Sequence, residues 1–221
     1  MSNTNTINHA QSEQSVLRTN KLIRNTYMLL AMTLAFSAVT AGISMAINPP
    51  FIVYLGSVIV SFIMLFILNK YQNSTAALPL VFLFAGLMGF GLGPILNNYL
   101  AMANGGQIVM TALGMTALTF VGLSGYVLTT RKDFSFMGGF LMVGMFVIIG
   151  ASLLNIFLGI PALSLTVSAG VIMIMSCFIL YETSSIIHGG ETNYIMATVN
   201  LYVSLYNMFL SVLSLLGMSR D

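Results

Sequence analysis

Residues 194–216 read YIMATVNLYVSLYNMFLSVLSLL, an apolar run without a single charged residue. A helix needs about 20 residues to cross the roughly 30 Å of hydrocarbon in a bilayer, so this run is long enough to span a membrane. Its polar side chains recur at steps of four and three, which places them on one stripe of a helix. The members of this polar stripe are Asn200, Ser204, Asn207, Ser211 and Ser214. Because polar groups are costly against lipid, we predict that the stripe faces protein or water.

The rest of the chain has the composition of a membrane protein. Charged residues make up 5% of it and hydrophobic residues 57%, whereas about a quarter of an ordinary soluble domain is charged. Its apolar runs are too long for barrel strands and lack their alternation, so helices are expected. The predicted spans are residues 26–47, 51–68, 78–98, 107–129, 137–158, 162–186 and 194–216. We therefore predict an all-α polytopic membrane protein in which the seventh helix is surrounded by the other six.

Basic residues near the ends of the spans set the predicted orientation. With the amino terminus in the cytoplasm, only Arg220 lies outside, and the other basic residues lie where the positive-inside rule expects them. Those residues are Arg18, Lys21, Arg24, Lys70, Arg131 and Lys132. Residues 1–25 are polar and are predicted to form a disordered cytoplasmic tail. Residues 26–216 form the predicted transmembrane domain, and residues 217–221 form a short tail at the outer face.

Small residues indicate where helices approach each other closely within the bilayer. Gly89 and Gly93 are four residues apart in the third span, and Gly114, Ala117 and Gly125 share one face of the fourth. Membrane helices pack through such residues because lipid gives no hydrophobic reason for helices to associate. We expect both faces to form helix–helix contacts.

Glu182 is the only carboxylate within a predicted span, which makes it a functional candidate by default. A buried carboxyl group loses the hydration that favours its charged form, so Glu182 is a candidate proton-sensing residue. Two structural interpretations stay open, since Glu182 lies near the cytoplasmic end of its span. It could be hydrated there, or it could pair with Lys70 at the end of the second span.

Further candidates for sensing protons or lining an ion path lie on both sides of the last loop. Asn200, Ser204 and Asn207 of the polar stripe could line a polar path, although interhelical hydrogen bonding is the more ordinary role. His188 and Glu191 flank two glycines in the loop, where a solvated pair is the more ordinary interpretation.

Several other classes of function find little support in the sequence. Two nearby glutamates are too few for a Ca²⁺ site, no helix carries a zinc-ligand spacing, and no cofactor is expected. The net charge of +2, without a basic patch interleaved with aromatics, argues against nucleic acid. Gly122-Leu123-Ser124-Gly125 has the GxSG form of rhomboid intramembrane proteases, and His188 could in principle complete a dyad with Ser124. The pattern is short and occurs among many glycines and serines, so we do not expect an enzyme.

Four segments resemble the Bax inhibitor family of seven-span membrane proteins. They are GLGPILNNY at 91–99, YVLTTRKDFSF at 126–136, YETSSIIHGGETNY at 181–194 and LYVSLYN at 201–207. The resemblance runs from about residue 18 to the last residue and is greatest for a bacterial branch of the family. It implies an inner-membrane protein that associates with the ATP-dependent membrane protease FtsH, and with membrane-bound associates of that protease.

The resemblance also suggests an alternative function, because family members are linked to a Ca²⁺ leak gated by two aspartates. Glu182 matches the first of these positions in charge, whereas the second falls on the uncharged Ser204. Lys70 lies near the place where some relatives put a basic partner for the first acid.

From the tail and the resemblance together we expect a regulator that engages FtsH through its amino-terminal tail as a slow substrate or competitor. The alternative is a pH-sensitive Ca²⁺ or proton leak channel.

Overall fold

A computed structural model describes the backbone of residues 2–218 and the side chains of residues 16–218. Its described part is helical, with one short 3₁₀ turn at Ser135–Met137 and no strand. The helices are α1 (Ser2–Ile47), α2 (Ile52–Tyr71), α3 (Ala77–Leu100), α4 (Gly105–Thr130), α5 (Gly138–Leu158), α6 (Pro161–His188) and α7 (Tyr194–Met218). In the described chain, seven helices are long and apolar enough to cross a membrane, which confirms the predicted fold class.

The helix ends follow from local sequence. Gly159 and Gly189 end α5 and α6 with φ values of +61° and +80°, a left-handed conformation that glycine adopts without steric cost. Pro161 begins α6, where its missing N–H would have no partner within the helix in any case. These signals keep the connections between the helices short.

The amino-terminal segment differs from its predicted form. Helix α1 begins at Ser2, so the predicted boundary between a disordered tail and the membrane domain at residues 25 and 26 falls inside a continuous helix. Leu22 and Ile23 already pack against the buried core. The physical reason is that extending an existing helix adds one hydrogen bond per residue without a new nucleation cost. At the other end α7 ends at Met218, and residues 219–221 of the predicted outer-face tail lie outside the described residues.

Helix α7 is the centre of the bundle. It has the longest set of buried residues of all the described helices, including Leu201, Tyr202, Met208 and Leu213. It packs against α6, α4, α1 and α3, whereas α2 packs mainly against α3, and α5 mainly against α6. The predicted central position is therefore correct, but four helices surround α7 rather than six.

Glycines bring α1 and α3 together. A Cβ atom at Gly89 would collide with the carbonyl oxygen of Ser37, and one at Gly93 would collide with the side chain of Ser44. The predicted close packing of α3 is therefore confirmed. For α4 it is wrong, because a Cβ atom at Gly114 or Gly125 would meet no atom within 4 Å. Small residues permit close approach but do not require it, and no other helix comes within contact distance of a Cβ atom at these two positions.

Candidate functional site

Glu182 and Asn200 join α6 to α7 inside the bundle. Asn200 Nδ2 donates a hydrogen bond of 3.3 Å to Glu182 Oε2. Glu182 is only 8% exposed, because it shares the inner face of α6 with Ile179 and Ile186, three residues before it and four after it. The carboxyl group thus lies between two helices rather than in cytoplasmic solvent, and one of its oxygens has an amide partner from the polar stripe of α7.

Hydroxyl groups gather beside Glu182. Thr183 Oγ1 lies 3.2 Å from the Tyr27 hydroxyl of α1 and 3.4 Å from Ser124 Oγ of α4, so one threonine links three helices. Thr183 and Tyr27 could not be identified from the sequence, because only the fold brings residues this far apart in the chain together. Since Ser124 bonds Thr183 rather than His188, the structure lends no support to a serine–histidine dyad.

The polar stripe continues along α7 away from Glu182. None of its members is exposed, so the stripe faces protein as predicted. Ser204 donates to the Asn200 carbonyl over 3.0 Å, and Asn207 Nδ2 donates to the Val203 carbonyl over 2.8 Å. Farther along, Ser168 Oγ of α6 donates to Ser214 Oγ over 3.2 Å. Asn200 and Ser214, at the two ends of the stripe, therefore bond side chains of α6, whereas Ser204 and Asn207 bond carbonyl groups of their own helix.

Lys70 does not pair with the carboxyl group of Glu182. It is exposed at the end of α2, with its Nζ atom 5.8 Å from the ring centroid of Tyr71. In the described part of the chain, no ion pair joins Lys70 to Glu182. Their separation follows from the packing, because α2 docks on α3 and not on α6.

His188 is exposed at the carboxyl end of α6. Its Nδ1 donates to the Ser184 carbonyl over 2.9 Å, so the ring closes the last turn of its own helix. Ser184 Oγ accepts a hydrogen bond of 2.9 Å from the Phe134 N–H, which docks the α4–α5 loop on α6. In that loop, hydrogen bonds from the Ser135 side chain and backbone N–H hold the pKa of Asp133 below its ordinary value.

Asn193 was not identified from the sequence, although it organises the last loop. Its Oδ1 accepts a hydrogen bond of 2.9 Å from the Ile195 N–H, which caps the first turn of α7. Its Nδ2 donates to the Gln72 carbonyl and to Asn73 Oδ1, each over 3.0 Å. The residue therefore ties the loop before α7 to the loop between α2 and α3. An Asn directly before an apolar helix is a sequence signal for the cap. No sequence signal indicated the contact of Asn193 with the α2–α3 loop.

The titratable groups do not assemble into a metal centre in the described residues, where no three His, Cys, Asp or Glu side chains lie close enough to share an ion. Chemically, the arrangement can exchange one proton at Glu182, bond helices through amides and hydroxyls, and hold the loops at this end of the bundle in fixed positions.

Comparison with known proteins gives one family over most of the chain. Residues 19–221 match the family described as inhibitor of apoptosis-promoting Bax1. The chain is 50% identical over 216 residues to the "Modulator of FtsH protease YccA" of Escherichia coli K12, covering 97% of this chain and 98% of that protein. It is equally similar to a protein named "Inner membrane protein YccA" in Escherichia coli O6:H1. An uncharacterized protein of Pseudomonas aeruginosa is 49% identical over 96% of this chain and 95% of its own length.

Proposed function

The chain belongs to the Bax inhibitor family and is a multi-pass α-helical membrane protein, and on that basis we propose that it binds and modulates an FtsH-type protease of the inner membrane. The observation that carries this proposal is the 50% identity, over 97% of the chain, to a protein named as a modulator of that protease. The role is regulatory rather than enzymatic. Its partners are the protease, the membrane-bound associates of the protease, and the bilayer.

The proposed mechanism makes the protein a slow substrate or a competitor. An ATP-driven protease needs a segment that it can grip and unwind, and residues 1–25 supply one that precedes the membrane domain. Residues 2–25 are helical, but their polar sequence offers little apolar surface to bury. Because most helical stability in proteins comes from tertiary packing, this end of α1 should resist unwinding less than the part that packs in the bundle. The protease would therefore engage this segment before it meets the bundle.

Resistance to extraction comes from the packing of α1, the helix that would be pulled first. Gly89 and Gly93 let α3 contact the α1 backbone directly, and Thr198 of α7 donates to the Thr26 carbonyl over 3.2 Å. Pulling α1 out of the bundle would thus break its contacts with both α3 and α7. A substrate that is gripped readily but extracted slowly occupies the protease and lowers its action on other membrane proteins.

Copurification from native membranes tests the proposal. We expect the full chain to bring down the protease, and a chain without residues 2–20 to bring down much less. The matched control is a chain of full length in which a Gly/Ser segment replaces residues 2–20. It shows whether binding of the protease requires this particular tail or only an accessible tail of that length. Equal recovery of the protease with all three chains would contradict engagement through the tail.

A second candidate function is a pH-sensitive leak of Ca²⁺ or protons. The observation that favours it is the burial of Glu182 beside Asn200 in a polar seam between α6 and α7. The seam carries one acid rather than two, since Ser204 lies where the family leak would need the second. In this interpretation Glu182 alone would exchange the proton, and the central helix would move relative to α6 when it does.

A further inference from the structure

A large apolar cavity lies on the opposite side of α7 from the Glu182 seam. Its volume is about 470 Å³, and residues of α1, α3, α4 and α7 line it. Leu92 of α3 with Leu205 and Phe209 of α7 form part of its inner wall, so the cavity reaches the central helix. Neither the proposed protease partner nor the leak pathway accounts for it.

The cavity opens between α1 and α4. These helices meet through the rings of Tyr27 and Phe120, whose centroids lie 5.9 Å apart, and Phe120 also lines the cavity. Beyond that contact the residues that line the gap on both helices are exposed. They are Leu34, Ala38 and Gly42 on α1, and Leu113, Ala117 and Val121 on α4. Because these positions lie within membrane-spanning helices, the opening faces hydrocarbon rather than water.

The lining offers hydrocarbon and almost no accessible polar group. Ser37 Oγ and the Tyr202 hydroxyl lie 2.6 Å apart in a hydrogen bond, and Thr116 Oγ1 donates to the Ala112 carbonyl over 2.8 Å. The Tyr206 hydroxyl is enclosed by protein. No charged residue lines the cavity. A neutral, apolar occupant therefore matches the cavity, and an ionic or strongly polar one would be left without partners.

We propose that the cavity binds one acyl chain of a bilayer phospholipid, which enters sideways between α1 and α4. An empty apolar void loses the dispersion contacts of its walls, and lipid chains are the hydrocarbon present at the opening. A membrane helix does not match the cavity, because about 470 Å³ holds roughly one turn that is about 5.4 Å long and about 10 Å wide, whereas a span needs several turns. The acyl chain would fill the gap between α1 and α4, which contact each other at Phe120.

The absence of tryptophan from the sequence permits a direct test. Three single-tryptophan variants of the full chain, reconstituted in bilayers with brominated acyl chains, report contact with lipid by loss of fluorescence. Phe209→Trp probes the cavity wall, where Phe209 is 7% exposed. Phe146→Trp is the lipid-facing reference at 68% exposure, and Phe84→Trp is the buried reference at 1%. We expect Phe209→Trp to lose nearly as much emission as Phe146→Trp, and Phe84→Trp to lose little.

Blocking the opening provides the matched control. Ala38→Phe in the Phe209→Trp background should restore most of the emission, whereas Ala35→Phe should not, because Ala35 is exposed on α1 outside the cavity. Both substitutions lie on the surface of one helix, so neither is expected to prevent folding. Phe209→Trp emission that matches the buried reference would overturn the proposal, as would quenching that Ala38→Phe leaves unchanged.

The unsubstituted chain gives an independent measurement. A phospholipid with a photoreactive diazirine in its acyl chain should crosslink to cavity residues such as Thr116 and Phe209, which bulk lipid cannot reach. If lipid-facing residues such as Phe146 are labelled and those cavity residues are not, acyl chains do not enter the cavity and the proposal is wrong.

Discussion

Asn200 Nδ2 lies 3.3 Å from Glu182 Oε2, so the one acid buried in the described bundle is held by an amide of the central helix. This pair joins the two helices on either side of the loop between α6 and α7. It also marks one end of the polar stripe that decides how α7 is placed. The following predictions begin with this pair and extend to the packing and the loops around it.

Removing the amide should cost stability. Asn200→Ala leaves the Glu182 carboxyl group without its donor in a buried site, and we expect a loss of about 1–3 kcal/mol in the free energy of unfolding. Asn207→Ala is the matched control, because its amide bonds a carbonyl of its own helix, and we expect a smaller loss. Thermal unfolding of the purified chains in one detergent measures both. Equal losses of unfolding free energy in the two variants would show that the bond to Glu182 stabilises the bundle no more than the bond of Asn207 within its own helix.

Ion flux separates the leak function from a purely structural role of Glu182. If the leak exists, vesicles that contain the protein should show pH-dependent Ca²⁺ or proton flux that falls strongly in Glu182→Gln, because the amide cannot exchange the proton. Glu191→Gln is the control, since Glu191 accepts hydrogen bonds from the Thr192 and Asn193 N–H groups in the loop outside the seam. Flux that is the same in all three proteins would remove Glu182 from the mechanism.

Two glycine-to-alanine substitutions should have different effects on the free energy of unfolding. Gly89→Ala places a methyl group against the Ser37 carbonyl oxygen and should destabilise the bundle by about 1–3 kcal/mol. Gly114→Ala meets open space on a helix and should be neutral or stabilising by up to about 1 kcal/mol. Unfolding measured under identical conditions compares them. A destabilising Gly114→Ala would mean that α4 has a close partner at that face.

The Asn193 cap predicts a local effect. Asn193→Ala removes the acceptor for the first turn of α7 and the bonds to the α2–α3 loop, which should cost about 0.5–2 kcal/mol. Hydrogen exchange of the Ile195 and Met196 amides should become faster. Asn73→Ala loses only the loop contact and should leave that exchange nearly unchanged. Similar exchange in both variants would contradict the cap.

The architecture was largely predictable because a bilayer constrains sequence strongly. An apolar run long enough to span must be a helix, so every span but the first was located to within a few residues. The step pattern from Asn200 to Ser214 identified α7 as enclosed, because polar groups that face lipid are costly. The number of its neighbours was overestimated, since a stripe shows that a helix is covered but not how many helices cover it.

Contacts between distant residues were not predictable from patterns. Lys70 and Glu182 have complementary charges and a common predicted face, but the docking of α2 on α3 keeps them apart. Tyr27 and Thr183 lie 156 residues apart in the chain, and no local signal links them. The glycines of α4 looked like those of α3, because composition records the capacity for close packing and not the presence of a partner.

Degradation of the chain itself tests whether the protease engages the amino-terminal tail. In cells that contain the protease, deletion of residues 2–20 should lengthen the half-life of the protein, because the segment that is gripped first is gone. In cells without the protease, the full and truncated chains should have equal half-lives. If the deletion does not change the half-life where the protease is present, the tail is not the point of engagement.

The most direct test of the account is proteolysis in a defined membrane. FtsH is reconstituted with a second membrane protein that it degrades, and the rate of that degradation is measured with and without the full chain. We predict that the full chain slows degradation of the second substrate in proportion to its amount, and that an unrelated seven-span protein does not. A rate that stays unchanged at every amount of the full chain would contradict the proposal that it modulates the protease.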